Sequence, residues 1–148
     1  GFERYEISSF ARKGCRSRHN QKYWELSDYL GLGPAACSRI GRTRTENTPG
    51  VRLYEKELLT GYPPQQEVET LSATDEMEEY CFLHLRMKEG IPLDGFRKRY
   101  GEGITHWYGD AVKMLKEKKL LKEEADHLFL TYHGAALGNF VFEQFLLD

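Results

Sequence analysis

The 148 residues suit one domain, or one small domain with part of another, and 40% hydrophobic with 30% charged residues is the balance of a globular chain in water. No apolar run approaches the roughly 18–20 residues that a bilayer-crossing helix needs, which excludes such a helix. The net charge of −2 is unevenly spread: residues 1–48 hold nine Lys/Arg against five Asp/Glu, a surplus of +4, and the remainder is at −6. A chain that is acidic overall speaks against nucleic acid as its main partner. Its basic front suits phosphates or carboxylates, or is a loop-rich segment with solvated arginines.

In chain order, Arg4-Tyr5-Glu6-Ile7-Ser8-Ser9-Phe10 alternates Tyr5, Ile7 and Ser9 on one side and predicts a strand. Asp28-Tyr29-Leu30-Gly31-Leu32-Gly33 predicts another, its glycines allowing close backbone approach to a ligand or simply ending the strand in a turn. Val51 to Leu59 predicts a short helix, and the Gly-Tyr-Pro-Pro run after it a hinge. From Ser72 or Thr74 an acidic first turn opens a helix to Glu89, stopped by Gly90 and Pro92. Pro92 to Tyr100 is a second helix, ended by Gly101. The stripe Ile104, Trp107, Tyr108, Ala111 and Leu115 predicts a third. Leu120–Lys122 and His127–Leu130 flank a Glu-Glu-Ala-Asp turn as a hairpin, and Thr131 opens a last helix burying Ala136, Leu137, Phe140, Val141 and Phe145. Three helices, a hairpin and a closing helix make a winged-helix-like α+β arrangement. The acidic wing and a third helix of mixed charge argue for a packing scaffold rather than DNA binding.

Cys15, Cys37 and Cys81 are odd in number and widely spaced, so neither a disulfide framework nor a zinc knuckle is expected, and a reducing cytoplasm is the natural setting. Nor do they form the close grouping that holds a [4Fe–4S] cluster on one loop. The start at Gly1, with no signal-peptide pattern behind it, suggests a piece of a longer protein.

The most informative run is His19-Asn20-Gln21-Lys22-Tyr23-Trp24. On a helical turn His19 and Tyr23 share a face, with Asn20 and Trp24 on the adjoining one. A neutral imidazole can ligate iron, the aromatics can flank a flat macrocycle, and the amide can bond a polar edge. The same residues also suit a core histidine pinned by Asn20, with Tyr23 and Trp24 as packing.

This motif, preceded by Tyr5-Glu6-Ile7-Ser8-Ser9-Phe10-Ala11-Arg12 and followed by Tyr29-Leu30-Gly31-Leu32-Gly33, resembles the haem-chaperone branch of the oxygen-independent coproporphyrinogen III oxidase-like radical-SAM proteins. Leu128-Phe129-Leu130-Thr131, Gly134, Asn139 and Phe145-Leu146-Leu147 resemble the close of that family's C-terminal domain. The resemblance implies the last strands of a partial (β/α) barrel over 1–48, then a mostly helical, winged-helix-like C-terminal domain over 49–148. It implies haem binding and delivery to acceptor proteins, with His19 as the axial metal ligand and Asn20, Tyr23 and Trp24 around it. Gly31, Gly33, Ala35 and Cys37 match the loop that approaches S-adenosylmethionine. The parent's [4Fe–4S] ligands lie outside this chain, so no catalytic residue is assigned and the chain alone should do no radical chemistry. Where the branch commonly reads Ala-His-Ser, this chain has Ala36-Cys37-Ser38, so that histidine's role does not transfer, and Cys37 is open to a plain reading as a small buried residue. A porphyrin-decarboxylating oxidase and a scaffold without a site remain as alternatives. Unpaired strand edges in residues 1–48 also lead us to expect a homodimer of the isolated chain.

Overall fold

A computed structural model describes residues 1–147, apart from the side chain of Glu67. The chain divides into two compact units: Gly1–Leu26 together with the chain from Met77 onward, and Ser27–Glu76.

The first unit opens with strands β1 (Glu3–Arg4) and β2 (Phe10–Ala11), paired antiparallel with Glu3 opposite Ala11. The single strand expected over Arg4–Phe10 therefore folds back on itself. The cause is Glu6, whose buried carboxylate accepts hydrogen bonds from the Ser8 amide and hydroxyl (both 3.0 Å) and from the Arg86 guanidinium (2.7 Å). Burial pushes that carboxyl up, and the bonds from Ser8, Ser9 and Arg86 outweigh it, leaving its pKa below the ordinary value. The Ile7 amide donates to the Arg86 carbonyl and the Lys88 amide to that of Tyr5, so this short turn runs beside residues 86–88. Helix α1 (Arg18–Trp24) follows.

In the second unit β3 (Cys37–Ile40), β4 (Thr43–Asn47) and β5 (Gln65–Thr70) form an antiparallel sheet in that order, with helix α2 (Val51–Thr60) between the last two strands. Asp28–Gly33 is not a strand. It is a loop touching the sheet through one bridge, Tyr29 with Arg39, because the Gly31 backbone lies against Cys37 where no side chain fits. The sheet is polar and rests on cross-strand pairs such as Arg44–Glu69 (2.9 Å) and Thr43–Thr70 (3.1 Å).

The remaining elements are α3 (Ala73–Arg86), β6 (Ile91–Pro92), α4 (Leu93–Tyr100), α5 (Ile104–Glu117), β7 (Leu121–Glu124), β8 (His127–Leu130), α6 (Tyr132–Ala136) and α7 (Gly138–Glu143). The sheet order β6-β8-β7 and the succession helix, strand, two helices, hairpin make a winged helix, as expected. Ser72 and Asp75 cap α3 reciprocally, each amide donating to the other's side chain (2.9 and 3.1 Å). Met77, Tyr80, Cys81 and Leu85 of α3 meet Phe96, Tyr108, Leu115, Leu128, Val141 and Phe145 in one apolar core. The α5 stripe departs from expectation: Trp107 is 41% exposed and Val112 is buried. Non-helical dihedrals at Tyr108 (φ −125°, ψ 24°) shift the helix phase. The closing helix is two helices broken at Leu137, which leaves Ala136, Leu137 and Phe140 exposed while Val141 and Phe145 are buried. The wing turns on Ala125 and Asp126, both at positive φ (49° and 64°), and Asp126 caps α4 by accepting from the Leu93 and Asp94 amides.

Candidate functional site

Ser17 caps α1, its hydroxyl accepting from the Asn20 amide (3.3 Å), while its own amide donates to the hydroxyl of buried Tyr5 (3.3 Å). The helix is thereby fixed to the first unit at its start. His19 and Tyr23, one turn apart, form a hydrogen bond between imidazole Nε2 and the phenol oxygen (2.9 Å), with the rings edge to face at 4.9 Å. Both are exposed, so His19 is not the core histidine that the plainer reading required. Asn20 does not pin it. Trp24 is half-buried, its ring 6.0 Å from that of Tyr5. His19 thus presents an accessible imidazole, steadied by one neighbour, with an aromatic surface on the adjoining face. With Nε2 on the phenol, Nδ1 is the His19 ring nitrogen left to meet a metal.

Gly31, Gly33, Ala35 and Cys37 lie in the other unit, on a loop organised by buried Asn47. The Asn47 amide nitrogen donates to the carbonyls of Gly31 (3.1 Å) and Gly33 (2.8 Å). The loop's own amides are engaged as well: Gly31 donates to Ser38 Oγ, Gly33 to the Tyr54 hydroxyl and Ala35 to the Thr48 carbonyl. A Cβ at Gly31 would run into the Cys37 carbonyl oxygen, while the flank of Gly33 is open. Cys37 is exposed, which corrects its plain reading as a small buried residue; the loop turns its side chain outward.

Cys15 is also exposed, and Cys81 is buried in the core, where burial holds its thiol well above the ordinary pKa. Among the described residues no group of three or more His, Cys, Asp or Glu could hold a metal ion, and no helix is long and apolar enough to cross a membrane.

One feature escaped the sequence reading. Beside α1 lies a cleft of about 380 Å³ lined by Glu3, Ala11, Arg12, Lys13, Gly14, Arg16, Arg18 and Gln21. The surplus of positive charge in residues 1–48 was its only signal. A larger hollow of about 490 Å³ at α4 and α5 has its charges already engaged: Arg97 pairs with Asp94 (3.0 Å), and Asp126 caps α4.

Residues 71–137, the winged-helix portion, match the HemN C-terminal domain. The chain therefore carries a HemN C-terminal domain. It is 35% identical over 146 residues to the protein named Heme chaperone HemW in Bacillus subtilis (strain 168), covering 99% of this chain and 38% of that protein. It is 54% identical over 143 residues to radical S-adenosyl methionine domain-containing protein 1, mitochondrial, of Mus musculus, covering 90% of this chain and 31% of that one. The chain therefore spans well under half the length of these relatives. Its fold matches that of Escherichia coli coproporphyrinogen III oxidase (HemN), a radical SAM enzyme, with a TM-score of 0.71 over 98% of this chain and 37% of that one, at 16% identity.

Proposed function

We propose that this chain is the C-terminal part of a radical-SAM haem chaperone, which binds haem through His19 and passes it to acceptor proteins. The observation that carries this reading is the exposed His19–Tyr23 pair on α1, with the half-buried Trp24 beside it. An imidazole whose Nε2 already meets a phenol is held in one orientation for a metal. The names of the bacterial relatives support the same reading.

On this reading residues 1–48 close the radical-SAM barrel and 49–148 form the C-terminal domain. Haem is the cargo. The barrel holds a [4Fe–4S] cluster and S-adenosylmethionine, and the loop of Gly31, Gly33, Ala35 and Cys37 faces the latter through the open flank of Gly33 and the Cys37 side chain. The cluster would supply radical initiation, and its ligands lie outside this chain. Nucleic acid is no partner. The cytoplasm is the proposed compartment, which suits three unpaired cysteines. Recovery of a tagged whole protein from mitochondria, the compartment in the mouse relative's name, would displace that part.

The test is haem titration paired with thermal unfolding of the whole protein. His19→Ala should weaken haem binding at least tenfold, about 1.4 kcal/mol. Its melting temperature should barely move, since an exposed side chain contributes little packing. Trp24→Ala should lose both haem affinity and some stability. Wild-type haem affinity in His19→Ala, or turnover of coproporphyrinogen III by the whole protein, would overturn the reading.

A further inference from the structure

We propose that the groove between the Tyr5–Ile7 turn and helices α6 and α7 binds a long-chain carboxylate, its head at Arg4 and Lys88 and its chain against Leu137 and Phe140. This site is independent of the haem reading, and α1 does not line it.

Two hollows of about 360 and 330 Å³ share Ile7, Arg86 and Ala135, so they form one groove. Its two ends differ. The first is cationic, with Arg4, Arg86 and Lys88 around an apolar floor of Leu85, Phe129 and Leu130. The second has no charged lining residue beyond the shared Arg86, and Leu137, Phe140 and Phe142 line it. The break between α6 and α7 at Leu137 opens this end: Leu137 is 43% and Phe140 40% exposed. The small Ala135, Ala136 and Gly138 leave space beside them.

Charge decides the head of the ligand. Glu6 is the one acidic lining residue, and Arg86 (2.7 Å) and Ser8 (3.0 Å) already engage it. Arg4 and Lys88 have no carboxylate partner among the described residues; Arg4 lies instead 5.9 Å over the Tyr132 ring. Two unanswered cations beside an apolar floor favour an anion that carries hydrocarbon. The backbone speaks against a peptide. The Ile7 amide donates to the Arg86 carbonyl, the Lys88 amide to that of Tyr5 and the Ser9 amide to that of Glu6, while α6 and α7 make the opposite wall. A peptide laid here would meet no open strand edge, and its own amides would go unpaired on the apolar floor. A hydrocarbon chain brings no such groups.

The experiment is calorimetric titration of the whole protein with dodecanoate, octanoate, dodecanol, dodecylamine and acetate, each kept monomeric. Dodecanoate should bind roughly tenfold or more tightly than dodecanol, and acetate and dodecylamine should give no measurable heat. Octanoate should bind roughly tenfold or more weakly than dodecanoate, because its shorter chain leaves apolar wall in water. The double variant Arg4→Gln, Lys88→Gln should lose the preference for dodecanoate over dodecanol. Both side chains reach solvent, so its melting temperature should stay that of wild type. Ala135→Leu, which narrows the groove where its halves meet, should weaken dodecanoate and dodecanol alike. His19→Ala should bind dodecanoate as wild type does. Equal wild-type affinity for dodecanoate and dodecanol overturns the proposal, as does a preference that survives the double variant. Loss of dodecanoate binding in His19→Ala would move the ligand to α1 and overturn it too, and so would a whole protein that binds no dodecanoate.

Discussion

The unit built on the winged helix and the unit Ser27–Glu76 bury different chemistry. In the first, Phe96, Leu85, Ile91, Leu115, Leu128 and Phe145 are at most 1% exposed and touch across helices and strands. In the second, the buried residues among those described are Ser38, Arg39, Asn47 and Leu71, and α2 buries none of its ten. One unit is held by apolar area removed from water, the other by backbone ladders, an amide clamp and surface ion pairs. Elements of the first should therefore open only with global unfolding, while the second yields locally. The contrast also bears on the site, because α1 is tied to the firmer unit and the glycine loop to the softer one.

Truncating a core aromatic is the strongest way to break this comparison. Phe96→Ala should cost about 3–5 kcal/mol in urea unfolding, whereas Leu59→Ala on α2 should stay within about 0.5 kcal/mol. Similar losses from the two would mean that α2 packs more tightly than its exposure indicates.

Gly31→Ala comes next. Its Cβ meets backbone at Cys37, so the loop must shift, at about 1–3 kcal/mol. Amide exchange should accelerate in β3 and β4 and stay slow in α3 and α5. Acceleration throughout would join the two units into one cooperative block.

His84 sharpens the comparison from the other side. Burial lowers its pKa to about 4 from the ordinary 6.5; its bond to the Tyr80 carbonyl (2.9 Å) opposes this, and Arg99 adds to it. The unfolded chain takes up that proton near pH 6.5 and the folded one only near 4. Stability is thus complete above 6.5 and is lost as pH falls toward 4, by about 2 kcal/mol at pH 5. Glu6, with its lowered carboxyl, adds a further loss in the same direction below its ordinary value of 4.5. His84→Phe should flatten the denaturant midpoint between pH 7 and 5. A slope that survives would assign it to other groups.

The smallest effect is a gain. Ala125 sits at φ 49° in the two-residue wing turn, a conformation that asparagine tolerates better. Ala125→Asn should raise stability by about 0.5–1 kcal/mol, read as a higher melting temperature, with Asp126 left to cap α4.

The same difference decided what could be read from sequence. The helices of the firm unit announce themselves through apolar spacing and stop signals: Gly90, Gly101 and the Thr131 cap stand where the chain turns. The β3-β4-β5 sheet does not, because Thr43-Arg44-Thr45-Glu46-Asn47 and Gln65–Thr70 show no apolar alternation, and partners distant in sequence supply their stability. The Arg4–Phe10 run misled for a related reason, since nothing local reveals that Glu6 meets Arg86. At the site, the spacing of His19 and Tyr23 was legible because a helix converts four residues into one face. The cleft was not, because Arg12 and Arg18 converge only after the β1-β2 hairpin has formed.

That contact between Glu6 and Arg86 has a consequence for how the chain is made. Its partners are 80 residues apart, and the whole Ser27–Glu76 unit is interposed between them. On a ribosome adding about 5–20 residues per second, the segment around Tyr5 and Glu6 waits roughly 4–16 s for α3 to emerge. Throughout that interval a carboxylate destined for burial stays hydrated, and the inserted unit can assemble first. Nascent chains stalled shortly before residue 86 should therefore leave the N-terminal segment open to protease and to chaperones. Chains released from the ribosome should protect it at once.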